Sequence, residues 1–276
     1  MSLNVHMPSA TGYVIPGLVG GIVCVVFSRA TIEPLIGDAV AYEGAREHAQ
    51  AQLSGGDHGH GHELFSRSVQ ENVGAAVGVI AMALAMGVLF AVAFTILRTV
   101  LMRRGFAPDS TGLALLLAGG MFAAINLVPG WKYPANPPTV GLEDTIGERS
   151  SAFLTMTVSS VVVACAAIAI AVVWSRRWGT WPAAAAAVGG YGVVMMAIVL
   201  WLPAFHEVPG PISGPDGVLV DGFPAEVLAE FRVYSVLNQA LMWLTIGATS
   251  ACLSALSSPK RNHVRSLSLD VPAPRR

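Results

Sequence analysis

Residues 73–97 read VGAAVGVIAMALAMGVLFAVAFTIL, a stretch with no Asp, Glu, Lys, Arg, His, Asn or Gln. As a helix rising about 1.5 Å per residue it exceeds the roughly 30 Å hydrocarbon core of a bilayer, where every backbone N–H and C=O must be paired internally. Five further stretches pass the same test: 12–27, 111–128, 152–174, 182–202 and 234–256, none with an acidic or basic side chain in its interior. The whole chain agrees, because 54% of its 276 residues are hydrophobic and only 12% are charged, about half the ~25% charged share of a soluble domain. The expected fold is therefore all-α, a polytopic membrane helix bundle with about six transmembrane helices. Residues 1–256 form a single integral membrane domain in this reading, and the basic segment 257–276 is a cytoplasmic tail without order.

The first stretch contains Pro16, Gly17, Gly20 and Gly21. A secretory signal peptide begins with a positive region, and residues 1–11 hold no Lys or Arg, so a retained span is expected, with the glycines admitting a neighbouring helix at close range. Cys24, Cys165 and Cys252 each lie in apolar sequence and offer neither a disulfide framework nor a CxxC clamp. The phosphate-loop pattern G-x-x-x-x-G-K-[ST] is absent, which leaves any ATP-driven step to another chain.

Basic residues concentrate on cytoplasmic loops. Arg98, Arg103 and Arg104 follow the second stretch, Arg176 and Arg177 the fourth, and Lys260, Arg261, Arg265, Arg275 and Arg276 the sixth. Those ends are read as inside, with both termini cytoplasmic and three outer loops at 28–72, 129–151 and 203–233. Of the 17 carboxylates only Asp109 and Asp270 then lie inside, while six of the 16 Lys and Arg residues lie outside: Arg29, Arg46, Arg67, Lys132, Arg149 and Arg232. An acidic outer side concentrates cations.

The first outer loop carries Asp57-His58-Gly59-His60-Gly61-His62-Glu63. Imidazole suits Co, Ni, Zn and Cu, and intervening glycines let several rings reach one ion. His58, His60 and His62, with Asp57, Glu63 and the upstream His48, are the expected metal ligands, joined by His206 and Glu207 at the mouth of the fifth stretch. The ligands alone do not choose the metal. The second outer loop runs Val128-Pro129-Gly130-Trp131-Lys132-Tyr133-Pro134-Ala135-Asn136-Pro137-Pro138. So many prolines argue against a helix, and non-helical backbone at the membrane edge lines a cavity or caps the adjoining spans. Residues 222–232 read as a short interfacial amphipathic helix ahead of the last span. Within the spans the polar inventory is thin, led by Asn126, Ser159, Ser160, Asn238 and Gln239, and no span offers a buried carboxylate, which argues against a proton-coupled carrier.

These residues together resemble the CbtA family, probable cobalt transporter subunits of bacteria. The resemblance rests on Glu33-Pro34 closing the first span, the acidic His-rich loop, Lys132-Tyr133-Pro134-Ala135-Asn136-Pro137-Pro138, Val140-Gly141, Thr145-Ile146-Gly147, Leu202-Pro203, Glu207-Val208-Pro209, Gly222-Phe223-Pro224-Ala225, Phe231-Arg232 and Gln239. It covers roughly residues 13–256. Two places depart from the family pattern, Glu143-Asp144 and the longer stretch 210–221.

The resemblance implies cobalt uptake across the bacterial inner membrane beside a small one-span partner of CbtB type carrying its own histidines. The expected function is the membrane subunit of a divalent transition-metal uptake system, with Co²⁺ as cargo, Ni²⁺ or Zn²⁺ as other candidates, and no cofactor. Lys132, Tyr133, Asn136, Pro137, Pro138, Glu33, Asn126 and Gln239 are the expected pathway or gate. The alternative is a non-transporting scaffold or metal chaperone that presents the ion to a partner subunit. An enzyme is not expected, since no HExxH or nucleophile motif occurs, and neither is a nucleic-acid partner.

Overall fold

A computed structural model describes residues 10–54, 74–215 and 217–257. Among the described residues six helices are long and apolar enough to cross a membrane: α1 (Ala10–Ser54), α2 (Ala75–Arg103), α3 (Ser110–Lys132), α4 (Ile146–Trp178), α5 (Thr180–Trp201) and α6 (Ala225–Ser257). The chain is a polytopic membrane bundle. Large apolar side chains that remain exposed, such as Leu116, Val188 and Leu200, are what a lipid-facing surface requires, since a soluble monomer rarely exposes so much.

Helices α1, α2, α3 and α6 share one core, in which Cys24, Ala83, Phe90, Ala118, Trp243 and Ile246 are buried together. Small residues set its dimensions, because lipid tails are as apolar as leucine and helices associate in a membrane through close packing. A Cβ added to Gly87 of α2 would lie 2.6 Å from the Cα of Gly17 in α1, and one added to Gly247 of α6 would lie 2.7 Å from the Cβ of Ala118 in α3. The close approach expected at Gly17, Gly20 and Gly21 is present, with α2 against Gly17 and Gly21 and α6 against Gly20. Helices α4 and α5 pair with each other across the single-residue junction Gly179, whose φ of +87° only glycine adopts readily.

Three expected boundaries move. The helix does not end at Glu33-Pro34: α1 continues through Pro34 to Ser54, about 67 Å at 1.5 Å per residue, well beyond the roughly 30 Å hydrocarbon core. An interior proline loses a hydrogen bond, but Ile32 and Leu35 bury against Phe231, and Ala39 buries with Val140, Phe223 and Leu228, which holds the helix past the break. The proline-rich stretch is also partly helical: Val128–Lys132 completes α3 directly after a π-helical turn at Ala123–Leu127, and Pro129 brings no N–H to the carbonyls of that turn. Residues 222–232 do not form a separate interfacial helix. From Ala225 they are the first turns of α6, and Leu228 and Phe231 face α1 and its neighbours rather than lipid headgroups.

The long stretch 210–221 folds as a small antiparallel hairpin, β1 (Ile212–Gly214) and β2 (Gly217–Val220). Tyr42 Oη donates to the Asp221 carbonyl at 3.1 Å and Arg46 Nη1 to the Gly210 carbonyl at 2.8 Å, pinning the hairpin to the extension of α1. At this end of the bundle α1, residues 133–145, the hairpin and the start of α6 form a polar collar. Arg98, Arg103, Arg104, Arg176 and Arg177 lie at the opposite end.

Candidate functional site

The first feature that positions the site is a fault in α3. Residues Ala123–Leu127 are π-helical, a rare geometry that frees backbone carbonyls and often marks a functional position. The freed groups are answered by side chains. Ser160 Oγ, fully buried on α4, donates to the Ala124 carbonyl at 2.6 Å and lies 2.7 Å from Tyr191 Oη of α5. The wider turn places Asn126 between α3 and α6: its Oδ1 accepts from Trp243 Nε1 at 2.7 Å and its Nδ2 donates to Gln239 Oε1 at 3.1 Å.

Above this network opens a cavity of about 660 Å³ whose wall includes Asn126, Lys132, Tyr133, Asn136 and Gln239. Five residues expected in the pathway are thus brought into one space. Tyr133 Oη donates to the Pro203 carbonyl at 2.7 Å, tying residues 133–142 to the segment after α5. Pro137 is buried behind the wall, where its carbonyl accepts from Val140 N, while Pro138 is exposed. Neither lines the cavity. Glu33 is likewise outside it, 3.9 Å from Arg29 one turn earlier on α1.

The wall also holds residues that the sequence reading did not place in the pathway: Arg149, Arg232, Ser150, Ser235 and Asn238. Arg232 Nη2 donates to Asn136 Oδ1 at 2.8 Å, which fixes the proline-rich segment against α6. A signal existed in the charge distribution. Three of the six basic residues assigned to the acidic side, Lys132, Arg149 and Arg232, meet here, yet residues so far apart in sequence give no sign of convergence.

The expected metal ligands fare differently. Asp57, His58, His60, His62 and Glu63 lie outside the described residues. His48 is exposed on the α1 extension and His206 is exposed beyond α5. Among the described residues no three His, Cys, Asp or Glu side chains stand close enough to hold one ion.

Glu207 is engaged by protein. Its Oε2 accepts from Leu142 N and from Thr145 Oγ1, both at 2.8 Å, and lies 3.4 Å from Arg149 Nε. Arg149 Nη2 in turn donates to the Leu142 carbonyl at 3.0 Å. The guanidinium lies against Gly141, whose φ of +122° and missing side chain make the room. Together they clamp the turn that starts α4.

The Leu142 amide, with Thr145 and Arg149, holds the Glu207 carboxyl below its ordinary value of 4.5, against a smaller opposing effect of burial. The folded state therefore prefers ionised Glu207. Its contribution is present in full above the ordinary carboxylate value and is lost as the pH falls through the lower folded one. Glu207→Gln should lower the melting temperature in detergent at neutral pH, and the gap from wild type should close as the pH is lowered below 4.5.

Among the described residues no carboxylate lines the cavity. A divalent ion about 6 Å from a single unpaired cation is opposed by roughly 5 kcal/mol at an effective dielectric near 20, so the wall is chemically distinct from the acidic surface around it. A second, smaller space of about 160 Å³ begins at Asn238 and Gln239 and is bordered by Cys24, Met82 and Met242.

No curated protein and no solved structure matches the chain. The family model described as probable cobalt transporter subunit (CbtA) matches residues 11–255. That match spans α1 to α6, including the collar, the π turn and the whole cavity wall, and it places this chain in the CbtA family of probable cobalt transporter subunits.

Proposed function

We propose that the chain is the membrane subunit of a divalent transition-metal uptake system whose cargo is Co²⁺ and whose loop at residues 55–63 captures the ion on the extracytoplasmic side. The observation that carries this reading is the family match over residues 11–255. The sequence adds the direction. Three imidazoles and two carboxylates stand within residues 57–63, on the side to which the positive-inside rule assigns 15 of the 17 carboxylates. Both termini are then cytoplasmic, and the bilayer is the bacterial inner membrane.

The described cavity continues the route inward. Lys132, Tyr133 and Asn136 stand at its outer wall, and Asn126 and Gln239 at its floor between α3 and α6. In this scheme His48 and Glu33, on α1, and His206, just beyond α5, lie outside its wall. Glu207, held by Leu142, Thr145 and Arg149, shapes the wall in this scheme and becomes a ligand only if the clamp opens. The family's description as a subunit implies a partner, and a one-span CbtB-type protein with its own histidines fits that place.

Replacing His58, His60 and His62 together by Ala should reduce cobalt accumulation several-fold in a cobalt-limited host at scarce metal, and much less at saturating metal, because capture limits only the first case. Unchanged uptake at scarce metal removes the loop from the mechanism. The second reading, a scaffold or chaperone that presents Co, Ni or Zn to a partner, is separated by reconstitution. Liposomes holding the chain and its one-span partner should accumulate Co²⁺, whereas a presenter binds metal without moving it.

A further inference from the structure

The cavity wall has the wrong sign for the cargo it is expected to admit. Lys132, Arg149 and Arg232 all line it, and among the described residues no carboxylate does. Arg149 is compensated by Glu207 at 3.4 Å. The other two are not: among the described residues no carboxylate lies within 4 Å of Lys132 or Arg232, and the ammonium of Lys132 stands 6.0 Å from the centre of the Tyr133 ring.

Arg232 is only half satisfied. One of its terminal nitrogens donates to Asn136, but its Nε is shielded from solvent without an acceptor. Planar guanidinium donors are suited to carboxylate and phosphate, which accept two parallel hydrogen bonds. Around these cations stand neutral polar groups that can donate, the Asn126, Asn136, Asn238 and Gln239 amides and the Ser150 and Ser235 hydroxyls, although the Asn238 Oδ1 is itself a shielded acceptor without a donor. Cations and neutral polar groups without a competing carboxylate describe a receptor for an anion.

We propose that this cavity is an oxyanion site, with Arg232 and Lys132 as the charged contacts to a carboxylate or phosphate group and Arg149 as a fixed wall held by Glu207. The ligand chemistry is shared by two sources. One is a soluble polycarboxylate or inorganic phosphate entering from water. The other is the phosphate of an anionic lipid, which the exposed Trp131 beside Lys132 would meet at headgroup level. On the uptake reading, a metal ion crossing this space does so paired with such an anion. The anion site itself is independent of that reading and is measured without metal.

The test uses the full chain in nanodiscs of phosphatidylcholine alone, titrated calorimetrically with citrate and with inorganic phosphate. In a second arm, mixed nanodiscs with phosphatidylglycerol are analysed by native mass spectrometry for retained lipid. Binding in either arm should weaken at least tenfold in Arg232→Gln and in Lys132→Gln, and should be partly restored in Arg232→Lys. Citrate or phosphate binding in the first arm identifies a soluble ligand, and selective retention of phosphatidylglycerol identifies a headgroup. Because Arg232 also holds Asn136, Lys132→Gln keeps the test valid if the Arg232 variant misfolds. No binding in either arm, or binding that neither substitution weakens, overturns the proposal. Neither result bears on Co²⁺ uptake, which the histidine variants test separately.

Discussion

Gly87→Ala is expected to destabilise the bundle by about 2 kcal/mol or more, and Gly87→Leu to prevent its assembly. A methyl at position 87 would fall 2.6 Å from the Cα and 2.7 Å from the nitrogen of Gly17, and one at position 17 would fall 2.6 Å from the carbonyl oxygen of Ala83. Both partners are backbone, so neither helix yields by a rotamer change. Separating α1 from α2 would also open the core around Cys24, Ala83 and Phe90. Gly189 of α5 is the control, since a Cβ there meets nothing within 4 Å. Gly189→Ala should be neutral or stabilising by up to about 1 kcal/mol, from helix propensity alone. Melting temperatures in detergent, with the fraction recovered as monodisperse protein, measure both. Equal behaviour of the two alanine variants would show that α1 and α2 do not cross at these glycines.

Asn126→Leu is expected to cost about 1–3 kcal/mol and to abolish metal uptake. Asn126 joins α3 to α6 through both ends of its amide, to Trp243 at 2.7 Å and to Gln239 at 3.1 Å. Trp243 is almost wholly buried, so the substitution strands an indole N–H in apolar surroundings and leaves the Gln239 oxygen without its donor. Polar contacts between membrane helices average below about 1 kcal/mol when the partners find substitutes. A buried indole has few. Trp243→Phe removes the stranded donor, so the double variant Asn126→Leu/Trp243→Phe should melt higher than Asn126→Leu alone. Uptake should stay lost in the double variant, because Asn126 also lines the cavity floor. If the double variant melts no higher, the hydrogen bond is not what the single variant loses.

The polar collar shows where sequence reading stops. Pro34 and the prolines after Val128 mark helix ends by their backbone chemistry, and in isolation they would be ends. Here Ile32, Leu35 and Ala39 find apolar partners on residues 140, 223, 228 and 231, a gain invisible to a local window. Glu207 reads as a surface carboxylate free to bind metal, yet the amide of Leu142, 65 positions away, takes it. The only local sign of the π turn at Ala123–Leu127 is Pro129 two residues later, which has no N–H to give the turn's carbonyls. The donor that answers its Ala124 carbonyl, Ser160 beside Tyr191, comes from another helix.

What the amino acids determined unaided is the medium and the count. Long uncharged stretches must pair their backbone groups within a helix, so six spans and a lipid-facing surface follow from transfer energetics that require no partner. The glycines of α1 were legible too, as small residues that admit close approach between helices of equal hydrophobicity. Convergence belongs to the tertiary structure. That Lys132, Arg149 and Arg232 face one cavity, that Asn126 meets Trp243, and that Glu207 is occupied all depend on contacts between residues far apart in the chain, and such contacts are fixed only when the helices pack.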